Sequence, residues 1–409
     1  MIRLCLFDLD NTLVRTSDLD GFRGQANVGN DGVDYRERLA QAFDADARRH
    51  LYTPAILDRL RRELPEMKWG VFTRAPRAYA QTLLARAYPT WHWDVVVARE
   101  DVGQTKPHPE GVWAAMRATG ITDARGVAVV GDEKPDVLAA YCGGAWAIVD
   151  QSSWTRPWAN ECYWAMERVP DAVIQQPMDL LNVLPQIKSH VPDLECRLAG
   201  ATPSGRNRSR FDTINHFHPD RRKQAVTVLG KMFSDYQAIR PRSETHVLTQ
   251  QILAHKEAVR FPDEWIQSIR AFLTRMVSLA GPQRDLVVTV IPKKPNGVPR
   301  MESLLVQLAL SLQDSPILNL QCRLHPEVMG FLDGVVSAHG LHLTAAQRFE
   351  NVEGHLRVLD AAAIRGRPVL VIDDVVTSGA SLICASRALT AAGAAQVKCL
   401  ALAKAVSDK

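Results

Sequence analysis

Over the first 185 residues, short apolar runs alternate with stretches of helical spacing. Leu4 to Phe7, Trp69 to Phe72, Trp93 to Ala98, Val127 to Val130 and Ala145 to Val149 are nearly unbroken apolar runs. A strand with one wet face would alternate, so these predict strands buried on both faces of a parallel sheet. Between them, residues 36–43, 55–64, 78–87 and 110–119 repeat their apolar positions at three and four, the period of a helix covering a sheet. Thr53-Pro54 reads as a helix start. Arg15 to Asp34, rich in Gly, Asp and Asn, reads as a loop. Strands alternating with helices predict an α/β domain with a parallel sheet.

The pattern then changes twice. Residues 185–215 mix Pro, Gly, Ser and Arg and read as a linker or exposed loop. From Pro219 to Leu279 helical spacing dominates. Ala225, Val228, Leu229, Met232 and Phe233 suggest one apolar face; Val247, Ile252 and Leu253 suggest another. Ile266, Ile269, Phe272, Leu273 and Met276 suggest a third. Strand and helix alternate again from residue 285. Asp285 to Pro292, Ile317 to Leu320, Val369 to Ile372 and Val397 to Ala403 read as strands, and 301–312 and 382–392 as helices. The expected division is 1–185, a helical connecting segment over 186–284, and a second α/β domain over 285–409.

Composition narrows the class. The chain has 409 residues, a length for two or three domains. With 46% apolar and 23% charged residues it reads as an ordinary soluble globular protein. A net charge of +4 over this length does not argue for nucleic-acid binding by the whole chain. The seven cysteines are scattered and form no CxxC pair, which fits a reducing cytoplasm rather than a disulfide framework. No run reaches membrane-spanning length, and no leader pattern opens the chain.

Chemistry enters at Asp8-Leu9-Asp10. Two like charges at the end of a buried strand are costly unless a cation neutralises them. The carboxyl ends of parallel strands are also where open α/β sheets bind ligands. A plain polar loop is the bland alternative. Further strand ends deliver Thr73, Lys106 before Pro107, and Asp132 with Asp136. This ordered set, Asp8-x-Asp10-x-Thr12, Phe72-Thr73-Arg74, Lys106-Pro107 and Gly131-Asp132-x-x-x-Asp136, resembles the haloacid-dehalogenase-like phosphohydrolases.

The resemblance implies a Mg²⁺-dependent phosphatase acting on a phosphorylated small molecule. Asp8 would be the nucleophile, forming an aspartyl phosphate. Asp10 would be general acid and then general base. Thr73 would bond a phosphoryl oxygen, and Lys106 would offset charge. Asp8, Asp132 and the Asp10 carbonyl would ligate Mg²⁺, with Asp136 ligating or supporting; a bare helix-capping role is its alternative. Residues 14–70 would form a small helical cap. Arg74 reads as a phosphate contact or a surface residue, and His108 as a loop residue. Trp146, Trp154, Trp158 and Trp164 read as packing. His216-x-His218 invites a metal, without further ligands at strong spacing.

The second organising stretch is Val369-Leu370-Val371-Ile372-Asp373-Asp374-Val375-Val376-Thr377-Ser378-Gly379-Ala380-Ser381. A buried strand ends in adjacent acids, and small residues then lead into a helix. Small side chains let backbone N–H groups approach a phosphate, and adjacent acids can accept bonds from ribose hydroxyls. The run resembles the phosphoribosyl-pyrophosphate (PRPP) motif of type I phosphoribosyltransferases. With Gln347, Arg348, Asn351-Val352 and Ala392-Gly393-Ala394, it resembles their ComF-like branch. The resemblance implies that Asp373 and Asp374 hold ribose, and that Val376, Thr377, Ser378, Gly379, Ala380 and Ser381 hold its 5-phosphate. Lys293 and Lys294 fall where the family binds pyrophosphate, or are surface lysines. The branch's Arg-Gly-Phe-Asn-Gln element is missing; only Pro299-Arg300-Met301-Glu302-Ser303 stands nearby.

The leading expectation is a bifunctional enzyme, phosphatase plus PRPP-dependent transferase, in nucleotide or nucleoside metabolism. One alternative makes the C-terminal domain a non-catalytic PRPP or nucleotide sensor. Another, from the ComF resemblance and the basic run Arg206 to Arg210, is nucleic-acid processing. Oligomeric state is not legible from the sequence.

Overall fold

A computed structural model describes residues 1–156, 160–203, 209–278, 284–295, 297–336 and 344–408. The chain divides into two compact units. The first comprises Met1–Val191, Ser234–Thr245 and Ser407–Lys409, and the second Pro192–Phe233 and His246–Val406.

The first unit is built on a sheet of β1 (Leu4–Phe7), β2 (Lys68–Phe72), β3 (Val95–Val97), β4 (Val127–Gly131), β5 (Trp146–Asp150) and β6 (Ala172–Ile174). All pairings are parallel, in the order β3-β2-β1-β4-β5-β6. Every residue of β1 is 0% exposed, as its unbroken apolar run requires. The order reverses at β1, which lies between β2 and β4, so ligands are expected beyond the carboxyl end of β1. Phe7 packs near Tyr52, Trp69 and Trp93, with ring centroids 5.0, 6.0 and 6.3 Å away. The segment between β1 and β2 holds helices Val33–Asp44 and Pro54–Glu63; Thr53 caps the second through its side chain, as read. Trp146 packs beneath the Arg242 guanidinium at 4.3 Å. Trp158 lies outside the described residues.

The segment Ser234–Thr245 leaves the second unit's chain and joins the first. Arg242 Nη2 donates to Asp171 Oδ1 at 2.7 Å, with 4% and 0% of their side chains exposed. Asp171 Oδ2 also accepts the Ala147 N–H at 2.9 Å, tying this pair to β5.

The second unit has a seven-stranded sheet. Its strands are β7 (Asp212–Phe217), β8 (Lys223–Val228), β9 (Lys231–Phe233), β10 (Arg284–Val290), β11 (Leu320–Leu324), β14 (Pro368–Val376) and β15 (Gln396–Val406). The order is β11-β10-β14-β15-β8-β7, with β9 also on β15. Only the β7–β8 hairpin is antiparallel. β12 (Met329–Phe331) and β13 (Leu356–Val358) form a separate antiparallel pair.

Three readings are corrected here. Residues 219–233 are not helical: they carry the hairpin turn, β8 and β9. Their apolar residues fit a helical period, but Val226 and Val228 are buried at period two, with Thr227 between them less so. β-branched residues on a half-buried ladder won over the helical count. Residues 192–233 and 246–278 therefore belong to the second unit's fold rather than forming a linker. The helical reading holds at Val247–Ala254 and Asp263–Ser278. The strand near 317–320 lies later, at Leu320–Leu324.

Candidate functional sites

At the end of β1 the Asp8 N–H donates to Val130 O at 2.8 Å, so the ladder to β4 fixes Asp8 as well. Asn11 then takes φ 57° and its N–H donates to Val14 O at 2.7 Å. This turn brings Asp8 and Asp10 into one cleft with Thr73, Arg74, Glu133 and Asp136.

Lys106 is buried beside them. Its Nζ donates to Asp8 Oδ1 at 2.6 Å and to Asp136 Oδ1 at 2.7 Å. Asp136 Oδ2 accepts the Glu133 N–H at 3.0 Å. Both oxygens of Asp136 are thus engaged, and it braces Lys106. Gly131 makes room for this: a Cβ there would meet Asp136 Cγ at 2.2 Å. Asp132 Oδ1 accepts the Thr12 hydroxyl at 3.1 Å. Thr73 Oγ1 accepts the Ala75 N–H at 3.1 Å, which leaves its own O–H to donate.

Asp10 is held by residues that the sequence pattern did not mark. Its Oδ1 accepts the Thr16 hydroxyl at 2.7 Å and the Tyr79 hydroxyl at 2.8 Å, and Arg23 Nη1 stands 3.3 Å away. Arg23 and Thr16 come from the loop after β1 and Tyr79 from the helix Arg77–Ala87; no local motif links them. Arg74 pairs with Glu133 Oε2 at 2.8 Å.

Charge is unbalanced here. Burial pushes the Asp8 carboxyl up to about 7; Lys106 opposes this, while Asp136 and Asp10 add to it. Burial, then Asp136 and Asp8, also hold Asp132 well above the usual carboxylate range. Burial alone would lower the Lys106 ammonium, but Asp136 and Asp8 raise it overall. Among the described residues no group of three or more His, Cys, Asp or Glu side chains is placed to hold a metal ion. The expected Mg²⁺ set needs only two side chains, Asp8 and Asp132, plus the Asp10 carbonyl. Two buried carboxylates that resist ionisation are hard oxygen donors, with Lys106 as the cation at Asp8, and they fit a divalent cation. Asp136, with both oxygens taken, fits the supporting role.

In the second unit the acids do not end the strand: β14 runs on to Val376, with Asp373 opposite Ala401 and Val376 opposite Lys404. Gly379 follows at φ 82°, and the helix Ala380–Ala391 begins. Residues Val375–Leu382 and Asp373 line one pocket with Lys294, Arg348 and Asn351. Burial and then Asp374 raise the Asp373 carboxyl well above the carboxylate range.

The two acids differ. Asp374 does not line this pocket. Its Oδ1 accepts the Val375 N–H at 2.6 Å, and its Oδ2 accepts Arg300 Nη1 at 2.6 Å. Of the two lysines only Lys294 lines the pocket, and its Nζ donates to Val336 O at 2.7 Å. Lys293 gives its backbone N–H to Glu302 Oε1 at 2.7 Å. Gln347 forms a capping box with Thr344 at the start of the helix Ala345–His355.

The phosphate-loop candidate has a backing that sequence reading missed. His216 on β7 is 5% exposed and hydrogen-bonds the Ser378 backbone. A Cβ on Gly379 would meet His216 Cβ at 2.7 Å, so the ring requires glycine there, as does the positive φ. Lys404 Nζ donates to Thr377 O at 3.3 Å. Burial, with Lys404 nearby, lowers the His216 imidazole to about 4. His218 instead meets Asp220 at 2.9 Å and Arg387 at 2.8 Å. Arg206 and Arg208 of the basic run lie outside the described residues.

Comparisons with known proteins match two separate parts of the chain. Residues 38–148 match the family model of haloacid dehalogenase-like hydrolases, and residues 276–409 that of the phosphoribosyl transferase domain. Thr73, Lys106, Asp132 and Asp136 fall inside the first match; Asp8 and Asp10 precede it. An N-acetylmuramic acid 6-phosphate phosphatase of Pseudomonas aeruginosa is 27% identical over 116 residues, 28% of this chain and 49% of that protein. A phosphoglycolate phosphatase of Photorhabdus laumondii is 31% identical over 75 residues, 18% of this chain and 32% of that protein. The chain thus spans about half the length of the first relative and a third of the second. Among solved structures, a HAD-superfamily hydrolase from Geobacter sulfurreducens is similar with a TM-score of 0.33 and 16% identity, over 45% of this chain and 100% of that one. A hydrolase from Pseudomonas syringae gives 0.33 and 23%, over 46% and 99%.

Proposed function

We propose that a chain carrying a haloacid dehalogenase-like hydrolase domain and a phosphoribosyl transferase domain is a two-site enzyme of phosphorylated metabolites. The first site hydrolyses a phosphomonoester. The carrying observation is the pairing of Asp8 with Lys106 at 2.6 Å beside an Asp10 held by Thr16, Tyr79 and Arg23. In this reading an Asp8 oxygen attacks phosphorus, the ester P–O bond breaks, and Asp10 gives its proton to the departing oxygen. Asp10 then takes a proton from water, which attacks the aspartyl phosphate and returns Asp8 with inorganic phosphate. The Thr73 hydroxyl and the Lys106 ammonium steady the phosphoryl oxygens. Asp8, Asp132 and the Asp10 carbonyl would hold Mg²⁺, which supplies charge neutralisation when bound. Both curated relatives are named for the release of phosphate from small phosphorylated acids, and this class is the first to test.

The second site would bind a ribose 5-phosphate group such as that of PRPP. Val376 to Ser381 would cradle the phosphate, Asp373 would take ribose hydroxyls, and Lys294 lies on the pyrophosphate side. Phosphoribosyl transfer here, in one chain with a phosphatase, points to nucleotide or nucleoside metabolism. One observation favours a binding-only second unit: Asp374 is already paired with Arg300 at 2.6 Å. Two assays separate these readings. The first screens metabolites for phosphate release by the native chain, Asp8→Asn and Asp373→Asn. The second follows isotope exchange between pyrophosphate and PRPP with candidate bases. Full phosphatase activity in Asp8→Asn would refute the nucleophile; exchange with no base would leave the second unit a binder.

A further inference from the structure

The first cleft contains a further cation, which contacts Asp10 and has donors beyond that contact. Lys106 and Thr73 already serve the phosphoryl group in the reading above. Arg23 stands at the other carboxylate: its Nη1 is 3.3 Å from Asp10 Oδ1, and it lines the same cleft as Asp8 and Thr73. Its side chain is 27% exposed, and Nη2 pairs with Asp20. Two acid contacts do not exhaust a guanidinium, which has five N–H donors.

The loop that carries Arg23 is anchored. Leu19 is 1% exposed. Phe22 O accepts the Tyr35 hydroxyl at 2.7 Å, and the two rings lie 6.0 Å apart. Asn27 Nδ2 donates to Gly21 O at 3.0 Å, and the Gly29 N–H to Glu100 Oε1 at 3.0 Å. Arg23 is thus presented by a fixed support, which favours recognition over loose steering.

Its position identifies what it would recognise. An ester oxygen that receives a proton from Asp10 must come within about 3 Å of that carboxyl. A group attached one or two carbons beyond that oxygen then falls within reach of Arg23. The planar fork of a guanidinium matches a carboxylate by paired hydrogen bonds. The cleft encloses about 200 Å³, room for a phosphoryl group and a few carbons. Arg74 pairs with Glu133, not Asp10, so it does not mark the leaving-group side.

We infer that Arg23 is a specificity determinant that binds a carboxylate one or two carbons from the phosphate ester oxygen, making phosphorylated hydroxy acids the substrates of the first unit. The inference rests on reading Asp8 and Asp10 as the hydrolytic pair.

The test uses matched esters that differ only in the carboxylate: phosphoglycolate against 2-hydroxyethyl phosphate, and 2-phospholactate against its alcohol. The full chain should prefer the acids at least tenfold in kcat/KM. Arg23→Gln should cut that ratio tenfold or more, mainly through KM, and Arg23→Lys should restore part of it. An equal loss on acid and alcohol would overturn the inference, because Arg23 would then only position Asp10. A native chain without preference would overturn it too. A native chain that releases phosphate from none of these esters, nor from p-nitrophenyl phosphate, would remove the hydrolytic reading and this inference together.

Discussion

The Lys106 ammonium and the Asp8 carboxylate stand 2.6 Å apart, with 1% and 12% of their side chains exposed. Removing the cation leaves Asp8 and Asp136 buried without it. Breaking a buried pair from one side costs about 3–5 kcal/mol. Lys106→Met should therefore lower the stability of the first unit by that order at pH 7 and abolish phosphate release. Urea unfolding of the full chain, followed by a probe in the first unit, measures it. A loss under about 1 kcal/mol would mean that water or a cation replaces the ammonium.

Divalent metal should stabilise the same unit. The carboxylates of Asp8 and Asp132, both raised by burial, are the side chains to which Mg²⁺ would return a counter-charge. Free Mg²⁺ at 100 times its Kd adds about 2.7 kcal/mol to a site that binds only in the folded state. Scanning calorimetry should show the first unit's transition rising with Mg²⁺ in the native chain and rising little in Asp132→Asn. A native transition indifferent to millimolar Mg²⁺ would refute the metal assignment.

The adjacent acids of β14 should respond differently to the same change. Asp373 lines the loop pocket, whereas Asp374 holds Arg300 at 2.6 Å. Asp373→Asn should weaken ribose 5-phosphate binding tenfold or more while changing the melting temperature little. Asp374→Asn should do the reverse, since it leaves a part-buried guanidinium without its acid. Titration calorimetry and thermal melts on both variants check this; equal affinity losses would show that both acids serve ribose.

Acid should loosen the second unit through His216. Its imidazole is lowered to about 4 by burial and then by Lys404, against an unfolded value near 6.5. Between those values the unfolded chain binds more protons, so stability falls as pH drops through the window. The full effect, reached below about 4, is roughly 3 kcal/mol. His216→Asn should flatten this part of the stability profile. An unchanged slope from pH 6.5 to 4 would rule out His216 as its source.

Arg242 and Asp171 should act as a structural clasp. Arg242→Met removes the guanidinium that stands 2.7 Å from Asp171, a side chain 0% exposed. The expected loss is about 3–5 kcal/mol in the first unit, read from limited proteolysis and thermal melts. A melt matching the native chain would show the contact to be dispensable.

Parallel strands were the most legible part of the chain. Buried on both faces, β1, β2 and β4 read as apolar runs, and the polar residues at their ends, Asp8, Thr73 and Asp132, followed. β8 and β9 were hidden because Val226 and Val228 alternate within a spacing that also suits a helix. Thr73, Lys106 and Asp132 each sit at a strand end or next to a marked turn, so order along the chain was enough. Arg23, Thr16 and Tyr79 meet at Asp10 only through tertiary packing and carry no spacing signal. The same holds for His216, which reaches the loop at Gly379 from a strand that joins the sheet's far edge. Gln347, part of the run that resembles the ComF-like branch, caps a helix with its side chain.

The clasp between Asp171 and Arg242 also has a timetable. Its partners are 71 residues apart in the chain. A ribosome adding about 5–20 residues per second needs several seconds to bridge that gap. During that interval the nascent first unit has its whole sheet but lacks Ser234–Thr245, so a buried carboxylate waits without its cation. A gene cut after Val191 would encode a product halted at that stage.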